Sequence, residues 1–259
     1  MKKTIKKILI KLLHPIVIKI GYVRKSSNNK NEENSNNKNN LLNFFFTSIK
    51  KTGFEPKHIV DIGANHGTWT RETLQYFPNS YYTLLEPQSW LQNSFNDLIN
   101  NNKKIQFYPY GAGSKKETLT FTLLDRDDSS TFKFPKEEAI KKGYKQIDVP
   151  VVTLNSLIEN EENFPFPDIV KIDAEGLDME VLKGASDLFG KTEVFMVEAG
   201  IVHKGFDNSI LKLINFMDEN GYILFDITDL NRPFIPSVLW LVELAFVKKK
   251  GIIDSYTFI

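Results

Sequence analysis

Short apolar runs alternate along the chain with segments whose apolar residues have helical spacing. Ile59, Val60 and Ile62 form a β-branched run that predicts a buried parallel strand. The residues from 68 to 77 carry apolar side chains about one turn apart, which predicts a helix. A second apolar run at 81–85 predicts another strand. The stretch therefore indicates a strand-helix-strand unit whose first loop is rich in glycine.

The same alternation returns in the second half of the chain. Strands are predicted at 168–173, 192–198 and 222–226, with helices at 177–188 and 209–220 between them. The apolar run at 239–248 predicts a last, long strand, expected to be antiparallel at or beside the sheet edge. Repeated units of this kind predict an α/β fold with a mostly parallel sheet and helices on both faces.

Residues 118–153 interrupt this alternation. The run from Glu117 to Leu124 alternates apolar and polar residues, as a half-exposed antiparallel strand does. A polar loop, a short helix near 135–143 and an extended run at 146–153 follow. We interpret 118–153 as an insertion beside the ligand pocket that forms an acceptor-side surface.

The first 40 residues differ in composition from the remainder. Residues 1–25 contain eight Lys and Arg residues and no acid, and their apolar residues have the spacing of an amphipathic helix. Such a helix is too short and too interrupted to span a bilayer, but it can make peripheral membrane contact with anionic lipid. Alternatively, it packs on the domain or on a second copy in a homo-oligomer. The Asn-rich residues 26–40 predict a flexible linker, so the folded domain is expected at 41–259.

Composition limits the classes of function. The formal net charge is +1, so no global field favours nucleic acid as a partner. The absence of cysteine excludes disulfides, cysteine-ligated zinc and thiol nucleophiles. Together these features fit a cytoplasmic protein, peripheral at the inner face of the membrane if residues 1–25 bind lipid.

The glycine-rich loop after the first strand predicts a nucleotide-type pocket. Gly63 and Gly67 are four residues apart, which is not the dinucleotide fingerprint, and Asp61 just before them would repel a phosphate. The same acid suits a positively charged ligand, and Glu86 after the second strand can accept hydrogen bonds from a ribose. This combination favours S-adenosylmethionine over NAD. An NAD-dependent enzyme of similar topology is the alternative.

A second set of acids ends the strands of the later half. Asp173, Glu175 and Glu198 follow two strands expected to be neighbours in the sheet. Ligands of open parallel sheets bind beyond the carboxyl ends of the strands, so these acids should converge with Asp61 and Glu86 on one crevice. Like charges gathered there raise one another's pKa or bind a cation.

Several of these blocks together resemble a known family. Residues 60–67, 85–87, 152–157, 170–185 and 239–247 are similar, in order and spacing, to FkbM-type S-adenosylmethionine-dependent methyltransferases. The Lys171–Gly176 block is the most specific of these, and the resemblance covers about residues 41–250. It implies a class I methyltransferase (Rossmann-like) fold and methylation of a hydroxyl oxygen on a sugar, glycan or secondary metabolite. The cofactor-binding candidates are Asp61, Gly63, Ala64, Asn65, Gly67 and Glu86.

An alcohol acceptor needs help to lose its proton. Asp173 is the first candidate for the catalytic base, Glu198 the second, and His203 a further alternative. In a different version Asp173, Glu175 and Glu198 bind Mg²⁺, which lowers the pKa of the hydroxyl. A non-enzymatic reading makes the protein a membrane-tethered binding module that uses a methyltransferase-like scaffold.

Overall fold

The computed structural model describes residues 41–161, 163–202, 207–233 and 236–256. The predicted N-terminal helix 1–25, the linker 26–40 and His203 lie outside the described residues, so what was expected of them stays a prediction. Across the described ranges, every helix is too short or too polar to cross a lipid bilayer.

The described residues form seven α-helices and ten β-strands. The helices are α1 Leu41–Lys51, α2 Thr68–Tyr76, α3 Asn96–Asn101, α4 Lys136–Lys142, α5 Leu154–Glu159, α6 Asp178–Lys183 and α7 Ile210–Glu219. The strands are β1 His58–Ile62, β2 Tyr81–Leu85, β3 Ile105–Tyr108, β4 Gly111–Ala112, β5 Glu117–Thr122, β6 Gln146–Val152, β7 Ile169–Ile172, β8 Val194–Gly200, β9 Tyr222–Asn231 and β10 Leu241–Lys248.

Seven strands form one sheet in the order β3-β2-β1-β7-β8-β10-β9. The first five of these are mutually parallel, and β10 is antiparallel to both of its neighbours. The predicted mostly parallel sheet with an antiparallel last strand is confirmed. Strand β10 lies beside the edge strand, inserted between β8 and β9.

Two apolar cores lie on opposite faces of this sheet. On one face, Val60 and Ile62 pack with side chains of α6 and α7. On the other, Ile59 packs with Phe45 and Phe46 of α1, both fully buried. Alternate residues of a strand point to opposite faces, so β1 contributes to both cores. Helices therefore cover both faces, as the alternating pattern predicts.

The interrupting segment has a sheet of its own. Strands β4, β6 and β5 form a three-stranded sheet in which β5 and β6 are antiparallel and α4 connects them. Strand β5 is antiparallel to β6, as expected, but its burial does not alternate strictly, since the neighbouring Phe121 and Thr122 are both buried. The helix predicted at 177–188 is instead α6 followed by a short 3-10 turn at Ser186–Leu188, because Gly184 interrupts it.

Candidate functional site

The glycine loop follows β1 and lies between the ends of β2 and β7. The backbone N–H groups of Gly63 and Ala64 both donate to the carbonyl of Leu85, at 3.0 Å each. Gly63 has a φ of +75°, and a Cβ placed on it would come within 1.9 Å of the Asp173 carbonyl oxygen. Only glycine allows β1 and β7 to approach this closely.

The second glycine has a separate structural reason. Gly67 precedes α2 with a φ of +75°, and an added Cβ would lie 2.6 Å from Cε1 of Phe95. The intervening Asn65 is also left-handed, with a φ of +47°. The four-residue spacing of the glycines therefore follows from the packing of a tight strand-to-helix turn.

Glu86 is held in one orientation by the backbone. Its Oε2 accepts from the N–H of Asn65 and its Oε1 from the N–H of Gln88, both at 2.9 Å. The side chain is 3% exposed, and burial raises the pKa of its carboxyl. A carboxylate with its remaining lone pairs turned to a crevice suits the ribose-binding role that the sequence predicts.

Acidic residues that follow the carboxyl ends of the strands line a crevice, which we call the front crevice. It contains about 540 Å³ of empty space, part of which is open solvent. The predicted residues Gly63, Asn65, Glu86, Asp173 and Glu175 all line it. Ala64 and Gly67 do not line it. They shape the turn behind the crevice.

A loop of the inserted segment supplies part of the lining that the sequence did not assign. Asp127, Asp128, Ser130 and Phe132 face the front crevice. Asp127 contacts the loops that follow β1 and β2. Its carbonyl oxygen accepts from Gln88 Nε2 at 3.1 Å, and its Oδ2 lies 2.7 Å from His66 Nε2.

The same loop also contacts the segment after β7, because Thr131 Oγ1 donates to the carbonyl of Glu175 at 2.8 Å. Sequence patterning identified only a polar loop here. Its position within the inserted segment was the one usable signal.

Asp61, which the sequence predicts to bind the cofactor, lies outside the front crevice. Its carboxylate is fully buried beneath the loop and does not line the front crevice. Oδ2 accepts from Thr70 Oγ1 at 2.6 Å, and Oδ1 lies 3.5 Å from Lys171 Nζ. The cation beside Asp61 is thus a side chain of the protein, because β1 and β7 pair Asp61 directly with Lys171.

A side cavity adjoins the front crevice. It encloses about 280 Å³ and is lined by Asp173, Glu198, Asp229, Asn231, Leu241, Val242 and Glu243. Glu243 lies opposite both Glu198 and Asp229 in the strand register, so three acids share one row across β8, β10 and β9. Glu243 was missed because it lies in an apolar run read only as a strand. A lone acid inside such a run was the available signal.

Burial and mutual repulsion shift the protonation of these acids. Burial, followed by the charges of Asp173 and Asp178, raises the pKa of Glu198 well above its usual value. Burial also raises the pKa of Glu243 to about 7, although Lys171 and a hydrogen bond from Thr228 act in the opposite direction. In Glu243 the side cavity therefore offers a carboxyl group that can exchange a proton near neutral pH.

The tentative magnesium ligands do not come together. Within the described residues, no group of three or more His, Cys, Asp or Glu side chains is placed to bind a metal ion. Glu175 lines the front crevice and Glu198 the side cavity, so the two carboxylates lie in different spaces. Asp173 is already in contact with Lys171, whose Nζ lies 3.4 Å from its Oδ2. The described residues therefore give no support for magnesium binding by Asp173, Glu175 and Glu198.

The front crevice lies at the carboxyl ends of the parallel strands. Open α/β sheets of this class bind nucleotide-type ligands at that position. The family model described as "Methyltransferase FkbM domain" matches residues 61–224. The chain therefore belongs to the FkbM methyltransferase family, as the sequence blocks indicated, and its sheet is that of a class I methyltransferase.

Individual relatives are distant. "Methyltransferase 1" of Beauveria bassiana (strain ARSEF 2860) is 22% identical over an alignment of 145 residues, and the match covers 50% of this chain and 58% of that protein. The chain thus spans less than two thirds of the length of this relative.

Among solved structures, precorrin-6y C5,15-methyltransferase from Geobacter metallireducens GS-15 is 13% identical, with a TM-score of 0.43 over 78% of this chain and 86% of that chain. A putative O-methyltransferase from Klebsiella pneumoniae is 11% identical, with a TM-score of 0.46 over 80% and 78%. Identities of this size do not transfer an acceptor.

Proposed function

We propose that this protein transfers a methyl group from S-adenosylmethionine to a hydroxyl oxygen of a sugar, glycan or secondary metabolite. Membership of the FkbM family supports the methyl donor. The buried, backbone-held carboxylate of Glu86 at the front crevice fits the ribose of that donor.

One observation carries the choice of a hydroxyl acceptor. Asp173 lines both the front crevice and the side cavity, so it stands where the two spaces meet. A donor in the front crevice and an acceptor in the side cavity would both contact this carboxylate. An alcohol is a weak nucleophile, and a carboxylate at the junction is placed to accept its proton.

Each residue has a defined part in this proposal. Bound S-adenosylmethionine supplies an electrophilic methyl group on a positively charged sulfur. Glu86 would hold the ribose hydroxyls, and Asp127, Asp128 and Ser130, which line the front crevice, would limit the access of water to the donor. Asp173 would accept the acceptor's hydroxyl proton as the acceptor oxygen bonds to the methyl carbon and the carbon–sulfur bond breaks, which leaves S-adenosylhomocysteine. Glu198, with its raised pKa, is the second candidate for this role.

Calorimetric titration tests the donor. We expect S-adenosylhomocysteine to bind with release of heat and to raise the melting temperature by mass action, while NAD does neither. A protein that is stabilised by NAD and indifferent to S-adenosylhomocysteine would instead be the NAD-dependent enzyme of the alternative reading.

A labelled methyl-transfer assay against fractionated cell extract then tests the acceptor class. A methyl ester loses its label in mild alkali, whereas a methyl ether keeps it. Because N-methyl and C-methyl groups are also stable to alkali, mass spectrometry and NMR of the labelled product must show the methyl group on oxygen. Label in no fraction, from protein that binds the donor, would favour the non-catalytic binding module.

A further inference from the structure

A buried ammonium group lies behind the junction of the two cavities. Lys171 is 5% exposed, and its Nζ lies 3.4 Å from Asp173 Oδ2 and 3.5 Å from Asp61 Oδ1. Thr70 donates in turn to the other oxygen of Asp61 at 2.6 Å. A continuous polar chain thus runs from α2 through β1 and β7 to the front crevice.

This chain is costly to bury. Taking charged groups out of water costs several kcal/mol each, and well-packed apolar side chains often stabilise such a position equally well. The charges that face Lys171 come from three directions: Asp173 after β7, Asp61 on β1 and Glu243 on β10. Burial alone would lower the pKa of Lys171, but these carboxylates outweigh it and raise the pKa, so the ammonium stays charged.

Asp173 depends on this ammonium for its orientation. Its Oδ1 is buried and has no hydrogen-bond partner in the described part of the chain, whereas its Oδ2 contacts Lys171. The side chain is 36% exposed, so packing alone restrains it weakly. A carboxylate with one cationic contact takes its direction from that contact.

We propose that Lys171 is a positioning residue, anchored by Asp61, that holds the Asp173 carboxylate at the junction between donor and acceptor. Asp61 consequently serves the reaction through Lys171 and makes no contact with the cofactor. The inference rests on the proposed function insofar as Asp173 is taken to act on the acceptor.

Two variants distinguish an effect of Lys171 on the position of the Asp173 carboxylate from an effect on the stability of the fold. Lys171→Met leaves Asp61 buried without a counter-charge and is expected to lower the melting temperature. The double variant Asp61→Asn with Lys171→Met removes both charges and should restore a stable fold. Lys183→Met is the matched control, because Lys183 is an exposed lysine that pairs with Glu180 at 2.7 Å on the surface.

The double variant should bind S-adenosylhomocysteine within about threefold of the unmodified protein, a change of less than 1 kcal/mol. Its apparent kcat on the methyl-accepting extract fraction should fall roughly 100-fold, the usual cost of misplacing a reacting group by about 1 Å. A crystal structure of the double variant should show the Asp173 carboxylate displaced.

Recovery of the unmodified rate together with the fold would make Lys171 purely structural and overturn the proposal. Loss of S-adenosylhomocysteine binding in a well-folded double variant would also overturn it, because Asp61 or Lys171 would then belong to the cofactor site. If the unmodified protein neither binds nor transfers, the proposed function fails. The crystal structure still decides in that case, since an unmoved Asp173 carboxylate refutes positioning.

Discussion

At the scale of single residues, the acids of the site divide by their environment. Glu86 has both oxygens held by backbone donors, which suits it to bind and not to react. Asp173 keeps one oxygen free of hydrogen bonds among the described residues and touches both cavities. In the proposed reaction, the same type of side chain would bind a ligand in one case and accept a proton in the other.

Asp173→Asn tests this division. The amide keeps the shape of the side chain but cannot accept the acceptor's proton, so transfer should fall about 10²- to 10⁴-fold. Affinity for S-adenosylhomocysteine, measured by calorimetry, should stay within about threefold. Asp187→Asn, the same change at an exposed acid, is the control and should leave both values unaltered. Undiminished transfer by Asp173→Asn would remove the residue from its role.

The sequence alone predicted which acids lie near the ends of strands, but it could not predict where their side chains point. It predicted that Asp61, Glu86 and Asp173 follow or end apolar strands, and all three do. It could not show that Asp61 turns inward to Lys171, because that pairing depends on the register between β1 and β7. Glu243 escaped for a related reason, since only the antiparallel pairing of β10 with β8 brings it opposite Glu198.

At the scale of elements, the approach of β1 to β7 determines the geometry of the front crevice. The Gly63 loop and the end of β7 meet without room for a side chain at Gly63. The helix and strand assignments followed from periodicity, whereas this contact joins residues more than 100 positions apart, which no local pattern encodes.

Gly63→Ala should therefore be strongly destabilising. The new Cβ would clash with the Asp173 backbone, and the positive φ adds strain, for a combined cost of about 3 kcal/mol or more. Gly190→Ala is the matched control, because Gly190 has a φ of +76° and open space around it. It should cost only about 1–2 kcal/mol. Urea denaturation measures the free energy of unfolding of both variants. Equal losses would show that the positive φ causes the loss and that the clash with the Asp173 backbone does not.

At the scale of the whole molecule, one buried histidine couples stability to pH. His58 begins β1, and its Nδ1 lies 2.7 Å from the Pro165 carbonyl oxygen. A carbonyl only accepts, so Nδ1 donates, and Nε2 of the neutral ring accepts from Thr83 Oγ1 at 2.9 Å. Burial lowers the pKa of His58 to about 4.

The folded protein thus keeps His58 neutral where the unfolded chain binds a proton. Its contribution to stability is complete above pH 6.5 and is lost as the pH falls towards 4, by about 1.4 kcal/mol per pH unit. Glu86 and the other acids of raised pKa act in the opposite direction, so a difference curve is needed.

The free energy of unfolding, measured by urea denaturation between pH 7 and 4, should fall less steeply for His58→Gln than for the unmodified protein. Parallel curves for His58→Gln and the unmodified protein would refute the assignment.

The position of β10 has a consequence for biosynthesis. Because β10 separates β8 from β9, β9 cannot join the sheet until residues 241–248 have been translated and have left the ribosome. Until then the nascent chain presents the unpaired edge of β8, whose backbone groups are open to pairing with other chains. The sheet is therefore completed only after β10, its last strand along the described chain, has been made.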